Sequence, residues 1–392
     1  MNSQMRQAAP GGFVSSPYFD EEHELLRAQV RRFVEEDVKP RADAWERDGF
    51  VPRDVLRKMG DLGFFGIRYP EAYGGAAMDT LATIVFAEEL GRSTYGGFAI
   101  TALVHTDMAS VHLFNAGSEA QKQNWASRIV EGSAITAVAI TEPDAGSDVK
   151  GIRTRARREG ERWILNGAKT FITNGVHADL YVVAAKTDPS AAAKSITMFL
   201  VEKGTPGFRV NRALDKHGWR SSDTAELVFE DCTIPTENIL GAENGGFYAI
   251  MGNFQNERLV LGAQAMGEAQ AALEMTLDYV KTRRAFGASL WDKQAIRQRL
   301  AMLAAKVEAA RQLVYVTAWR DARGEDVVRE VSMVKALCGE LVNEVMYDCV
   351  QFHGGMGYMR ESAIERMARD ARVQAIGGGA TEVMLEEIAK RL

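Results

Sequence analysis

The sequence predicts an α+β protein in three successive parts: a helical N-terminal region, a small β domain and a C-terminal helix bundle. Three observations carry this. Apolar residues recur at helical spacing on both sides of residues 136–240. Between those flanks, short β-prone runs alternate with turn residues. Beyond them, Leu259, Met266, Leu273 and Val280 stand seven residues apart, a stripe suited to bundle packing. The length of 392 residues suits two or three domains, and 46% apolar against 26% charged residues provides ample core.

Residues 1–18 read as a flexible tail, with one Arg and no long apolar run, unlike a signal or transit sequence. The first helical part spans 19–135. Leu25, Leu26, Val30, Phe33 and Val34 share helical spacing, and Pro40 marks the end of that pattern. Thr80–Arg92 is a second periodic segment, and Ser118-x-x-Gln121 is a capping box opening a third. Tyr69-Pro70 and Gly74-Gly75 predict a loop between them.

The second part, 136–244, reads as a small antiparallel sheet or barrel. Asn166-Gly167-Ala168 lies between two β-prone runs and predicts a hairpin turn. Leu180–Ala184, Ser195–Glu202 and Ala225–Phe229 are further strands, separated by Asp188-Pro189, Pro206-Gly207 and Ser221-Ser222-Asp223. The third part, 245–392, is helical throughout: a long helix starting near Gly246, then Trp291–Arg323, Val327–Val350 and Thr381–Leu392.

Charge excludes more than it identifies. Lys plus Arg number 47 and Asp plus Glu 53, a balance of −6, which argues against nucleic acid as a partner. No run approaches a membrane span. Cys232, Cys338 and Cys349 make neither a metal pattern nor a disulfide framework, so no metal is expected and a cytoplasmic location is.

Four features bear on chemistry. Ile250, Phe254, Glu257 and Leu261 share one helix face, which sets a carboxylate in an apolar line. A structural Glu with a basic partner is the commoner explanation of such a pattern. A general base whose pKa is raised by burial is the other. Thr141-Glu142-Pro143-Asp144-Ala145-Gly146-Ser147-Asp148 suits either a plain turn or a loop that lets backbone approach a phosphate. Gly354-Gly355-Met356-Gly357 and Gly377-Gly378-Gly379 break helical sequence, as inter-helix loops or as places where backbone meets a ligand. Arg283-Arg284 places cations at a helix C-terminus, which the dipole favours and which could also clamp a phosphate.

Six segments in order resemble the acyl-CoA dehydrogenase family: residues 139–151, 163–175, 256–267, 279–287, 351–359 and 369–383. The resemblance covers nearly the whole chain from about residue 19. It implies an N-terminal α domain, a central β-barrel and a C-terminal four-helix bundle, one FAD per subunit and a homotetramer built as a dimer of dimers. It implies α,β-dehydrogenation of an acyl-CoA thioester in fatty-acid or branched-chain catabolism, with electron-transfer flavoprotein as electron acceptor. The α-hydrogen leaves as a proton and the β-hydrogen as a hydride to flavin N5, giving a trans-2-enoyl-CoA.

Many members carry the base in a Tyr-Glu-Gly-Thr segment. Here Gly378 stands at that Glu position, in Gly377-Gly378-Gly379-Ala380. The isovaleryl and long-chain branches place the base in a Glu-Arg-Leu segment instead, which Glu257-Arg258-Leu259 matches. The resemblance therefore makes Glu257 the base and the Gly378 N–H a donor to the thioester oxygen. It assigns Val138, Ile140, Thr141, Gly146, Ser147, Phe171, Ile172 and Thr173 to the flavin. Arg283, Phe286, Gln294, Gln351, Gly354 and Gly355 would contact the FAD of a neighbouring subunit. Ala380 and Glu382 complete the cofactor set, Ala380 replacing a usual Thr. Ser147, Tyr248, Gln255, Arg258, Gly378 and Gly379 fall on the substrate side. Two other readings remain at this point. An oxidase-like relative would make hydrogen peroxide, and a non-catalytic scaffold would lack bound FAD.

Overall fold

The computed structural model describes residues 17–188 and 195–392. Most of the expected tail, residues 1–16, lies outside the described residues, as does Pro189 of the predicted turn.

The first part holds α1 (Glu21–Phe33), α2 (Ala42–Asp48), α3 (Arg53–Asp61), α4 (Thr80–Gly91), α5 (Gly96–Leu103), α6 (Ser110–Ala116) and α7 (Glu119–Val130). Ser118 and Gln121 form the expected capping box of α7. α1 runs on into a π turn over Val34–Val38, and helical structure stops there, just before Lys39-Pro40, as expected. Leu25 is exposed, leaving Leu26, Val30, Phe33 and Val34 as the core face.

α4 is buried from Leu81 to Gly91 and α5 along its whole length, so both are wrapped by neighbours. Such a helix has no wet face for its charges. Glu88 on α4 is accordingly surrounded: Arg311 Nε donates to it at 2.9 Å, the Tyr315 hydroxyl at 2.5 Å and Arg27 at 3.4 Å. Burial alone would raise its pKa, but Arg311 and Arg27 outweigh that and hold it below the ordinary carboxylate value. Glu88→Gln leaves two buried guanidinium groups undercompensated. We expect a loss of about 3 kcal/mol or more, read as a lower thermal midpoint. An unchanged midpoint contradicts this view of the network.

The β domain comprises β1 (Thr136–Ala139), β2 (Arg155–Glu159), β3 (Arg162–Thr173), β4 (Leu180–Lys186), β5 (Ile196–Glu202), β6 (Phe208–Ala213), β7 (Thr224–Pro235) and β8 (Ile239–Leu240). The order is β6-β7-β3-β2-β4-β5-β8, with β1 beside β4. Trp163 on β3 meets Phe199 on β5 at 5.6 Å although two strands separate them in that order, so the sheet curls around an interior. β4 is buried on both sides. Tyr181, Val183 and Ala185 enter that interior, while Leu180, Val182 and Ala184 pack outward with Leu113, Trp125 and Ile250.

Two expectations change. The sheet is not purely antiparallel, because β1 pairs with β4 in parallel. Asn166-Gly167 is also no hairpin turn. It sits inside β3 at a break in register against β7, and the β2–β3 turn falls at Gly160 instead. Gly167 has φ of 152°, and a Cβ there would collide with Thr154. The glycine thus marks a bulge where two strands approach closely. β2 and β6, rich in exposed Arg, escaped prediction because their apolar alternation is weak.

The last part holds α8 (Gly246–Thr282), α9 (Gln294–Asp321), α10 (Val328–His353), α11 (Ala363–Ala371) and α12 (Thr381–Ala389). The heptad stripe Leu259, Met266, Leu273 and Val280 is buried throughout. A short hairpin of β9 (Arg284–Ala285) and β10 (Ala288–Ser289) follows α8. Among the described residues no helix is long and apolar enough to cross a membrane.

Candidate active site

Glu257 lies on α8 with 7% of its surface exposed, in the apolar line its spacing predicted. Burial pushes its carboxyl up to about 7. A hydrogen bond from Asn253 and the charge of Arg258 oppose that, and the charge of Asp107 adds to it. Asn253 Nδ2 donates to Oε1 at 2.8 Å. No salt bridge reaches Glu257 among the described residues, so the structural ion-pair explanation fails.

A raised pKa alone does not single out Glu257. Glu268 on the same helix is pushed up to about 8 by burial, held by Gln264 at 2.8 Å. It stands three turns away, roughly 16 Å along the axis. What separates the two is the glycine loop. Gly378 sits against α8 at Leu261, one turn from Glu257, where a Cβ would overlap Leu261 Cδ1. Gly379 lies beside Arg258, whose Nε is buried without a partner. Lys335 on α10 holds this loop from beneath, donating to Gln374 O at 2.5 Å and Gly379 O at 3.1 Å. Burial lowers Lys335 to about 8.

Tyr248 is exposed and Gln255 half-buried on the same helix. Tyr248 therefore lies about two and a half turns, and Gln255 about half a turn, nearer the start of α8 than Glu257.

A second group gathers on the sheet. Val138 lies on β1, and Ile140, Thr141, Gly146 and Ser147 follow it. Thr141 O accepts from Thr170 N at 3.0 Å, which ties this loop to β3. A buried ion pair fixes it further. Lys169 Nζ donates to Glu142 Oε1 at 2.7 Å and to Ile140 O at 3.0 Å. The other contacts to Glu142 come from the backbone N–H groups of Arg153 and Thr154. Phe171 stands out on β3. It is 69% exposed with φ of 59°, between Thr170 and Ile172, which are both buried. The ring is bare and its backbone is strained, a combination that clusters at functional sites. Thr173 is half-buried two residues on.

A π turn joins the two groups. Residues Val104–Ala109 connect α5 to α6, with Ser110 N bonding back five residues to His105 O. His105 Nδ1 accepts from Thr136 N at 3.1 Å, anchoring β1, and its Nε2 meets Ile129 O at 3.1 Å. Burial lowers His105 to about 4, so it is a neutral hinge pin. Two residues along, Asp107 O accepts from Asn253 and Asn256 on α8, each at 3.0 Å. Sequence reasoning missed Asn253, His105 and Asp107. A signal was present: His105-Thr106-Asp107 is a polar run inside an otherwise apolar buried stretch.

A third group lies elsewhere. Arg283 caps the C-terminal end of α8, 26 residues beyond Glu257 and about 39 Å along the helix axis. Phe286 is 96% exposed at the β9–β10 turn. Gln294, Gln351, Gly354 and Gly355 are exposed too. Tyr279 stacks on His353 at 4.3 Å, which brings the ends of α8 and α10 together and gathers this group at one end of the bundle. One chain does not bring it to Glu257. Ala380 and Glu382, at the start of α12, stay with Gly378.

Helix, sheet and bundle around these groups define an FAD-binding oxidoreductase. Three family models match in order: the N-terminal domain over residues 20–133, the middle domain over 137–232 and the C-terminal domain over 244–392, each of acyl-CoA dehydrogenase. The long-chain specific acyl-CoA dehydrogenase of Mus musculus mitochondria is 41% identical over 378 residues, covering 95% of this chain and 87% of that one. Isovaleryl-CoA dehydrogenase of Pongo abelii is 37% identical over 390 residues, covering 95% and 92%. The crystal structure of acyl-CoA dehydrogenase from Geobacillus kaustophilus superposes with TM-score 0.92 at 41% identity, covering 96% and 99%. The chain belongs to the acyl-CoA dehydrogenase family, whose members dehydrogenate acyl-CoA with FAD.

Proposed function

We propose that Glu257 is the base that removes the α-proton of an acyl-CoA thioester, yielding the trans-2-enoyl-CoA. The observation that carries this is the placement of a buried, unpaired carboxylate one helical turn from the Gly378 loop. Its elevated pKa suits a base that works near neutral pH. The Gly378 N–H donates to the thioester oxygen as negative charge develops there. Gly379, Arg258, Gln255, Tyr248 and Ser147 line the path of the CoA arm. Arg258 Nε, buried without a partner, supplies a donor for it.

The residues present fit FAD. Phe171 offers the flat face, and Val138, Ile140, Thr141, Gly146, Ser147, Ile172 and Thr173 the wall around it. When bound, FAD supplies the acceptor for the β-hydride. Ala380 and Glu382, beside the Gly378 loop at the start of α12, would complete the cofactor site. The remote group of Arg283, Phe286, Gln294, Gln351, Gly354 and Gly355 reaches a cofactor only in a second copy of the chain, which supports self-association; a homotetramer is the proposed assembly. Electron-transfer flavoprotein is the proposed electron acceptor.

Gly378 stands where many members carry a carboxylate, and Leu261 occupies the place its Cβ would take, so this wall is apolar rather than charged, which favours long or branched acyl groups. The test is anaerobic flavin bleaching of the holoenzyme against short, medium and long straight-chain acyl-CoAs, isovaleryl-CoA and branched terpenoid thioesters. Fastest bleaching with long or branched substrates is expected; preference for the shortest straight chains contradicts the assignment.

A further inference from the structure

We infer that Asn253 is a positioning residue that clamps one oxygen of Glu257 and leaves the other to take the proton. This rests on Glu257 being the base.

The geometry is specific. Asn253 precedes Glu257 by one turn on α8, so the two side chains meet on one face. Its amide nitrogen lies 2.8 Å from Glu257 Oε1 and 3.0 Å from Asp107 O. The Asp107 carbonyl accepts only, as does Glu257 in the ionised form that acts as base, so the NH2 faces them, each hydrogen serving one. Asn253 is buried, with 5% exposure. The anchor point is rigid in turn. Asp107 lies in the π turn, and its carbonyl is gripped a second time by Asn256. Its carboxylate pairs with Arg68 at 3.2 Å. Thus the π turn fixes the amide, and the amide fixes the carboxylate.

Two consequences follow for the base. Rotation about the last bond of the Glu257 side chain is restrained, because Oε1 is held. No hydrogen bond reaches Oε2 among the described residues, so Oε2 is the basic oxygen. Pre-set orientation of a reacting group is worth a large part of a rate, because the entropy is lost before the substrate arrives. The bond also favours the ionised form. The charged groups acting on Glu257 are Arg258 on its own helix and Asp107 on the packed π turn, the latter neutralised by Arg68. Asn253 is the uncharged third member of that set.

Asn256 provides an internal control. Its side chain grips the same carbonyl, and among the described residues it makes no hydrogen bond to the Glu257 carboxyl. The experiment compares holoenzymes of wild type, Asn253→Ala, Asn253→Ser, Asn256→Ala and Glu257→Gln in anaerobic single-turnover reduction by acyl-CoA across pH. For Asn253→Ala the midpoint of the rate–pH curve is expected to rise by about one unit. The plateau rate at high pH is expected to fall about tenfold from lost orientation, with substrate affinity unchanged. Asn253→Ser, too short to span both acceptors, reports the same shift should Ala disturb packing. Asn256→Ala is expected to keep the wild-type midpoint. An unmoved midpoint in both Asn253 variants, or an equal shift in Asn256→Ala, overturns the inference while Glu257→Gln stays inactive. A Glu257→Gln enzyme that reduces at the wild-type rate instead sinks the assignment of the base.

Discussion

Glu257→Gln is expected to lower the rate of flavin reduction by roughly 10²- to 10⁴-fold, the span that a positioned general base contributes. The protein should stay folded and yellow, because Gln can keep accepting from Asn253. It should also become more stable above neutral pH, and the sign follows from linkage. The Glu257 carboxyl titrates at about 7 in the fold, against 4.5 for an ordinary Glu. Between those values the folded state holds a proton that the unfolded state has lost. Stability from this group is therefore fully present below the unfolded value and falls as pH rises through 7. At pH 8 the cost is roughly 3 kcal/mol, which the neutral Gln avoids. A variant with the higher thermal midpoint at pH 8 but not at pH 5, and no activity at either, fits a base kept at the expense of stability. Full activity, or no pH dependence in the stability gain, contradicts it. Wild-type reduction should rise with pH through about 7 as the carboxylate forms.

The layout of helix, sheet and bundle was legible because both periods are strong where one face is buried and the other wet. α7 was announced by its capping box and α8 by its stripe. The misreading of Asn166-Gly167 shows where local signals stop. The dipeptide that favours a two-residue turn also suits a bulge, and the choice is made by Thr154, just ahead of β2, crowding Gly167. Glu257 was visible as a carboxylate in an apolar line, yet pattern could not say whether a cation faced it. Only packing shows that Arg258 acts on it without pairing. The supporting residues were harder to see. Asn253 and Asp107 stand 146 positions apart, and no periodicity links an amide on one helix to a carbonyl in a π turn of another. Lys169 and Glu142 form a buried pair for the same reason. Burial lowers Lys169 to about 8, while Lys169 holds Glu142 below its ordinary value against the pull of burial. Each residue alone reads as an unremarkable surface charge.

Gly378→Ala is expected to slow reduction about 10²- to 10³-fold, the loss typical of one donor to a developing oxyanion. Two separate strains act at this position. Its φ is 64°, a region that costs a residue bearing a Cβ roughly 1 kcal/mol. The Cβ would also overlap Leu261 Cδ1. The loop can yield only by turning the peptide, and Lys335, gripping Gln374 O and Gly379 O, resists that on one side. The N–H is then aimed away from the thioester oxygen. Leu261→Ala removes the overlap but not the φ strain, so Gly378→Ala with Leu261→Ala should recover part of the lost rate and no more. The same contact explains why a carboxylate cannot simply be moved here. Gly378→Glu placed in the Glu257→Gln enzyme must drive its Cβ into Leu261 before its carboxyl reaches any substrate. We expect that double variant to stay inactive, and to gain activity only when Leu261→Ala is added. Activity in the double variant with Leu261 intact means that the loop yields freely, and that Leu261 does not decide which element carries the base.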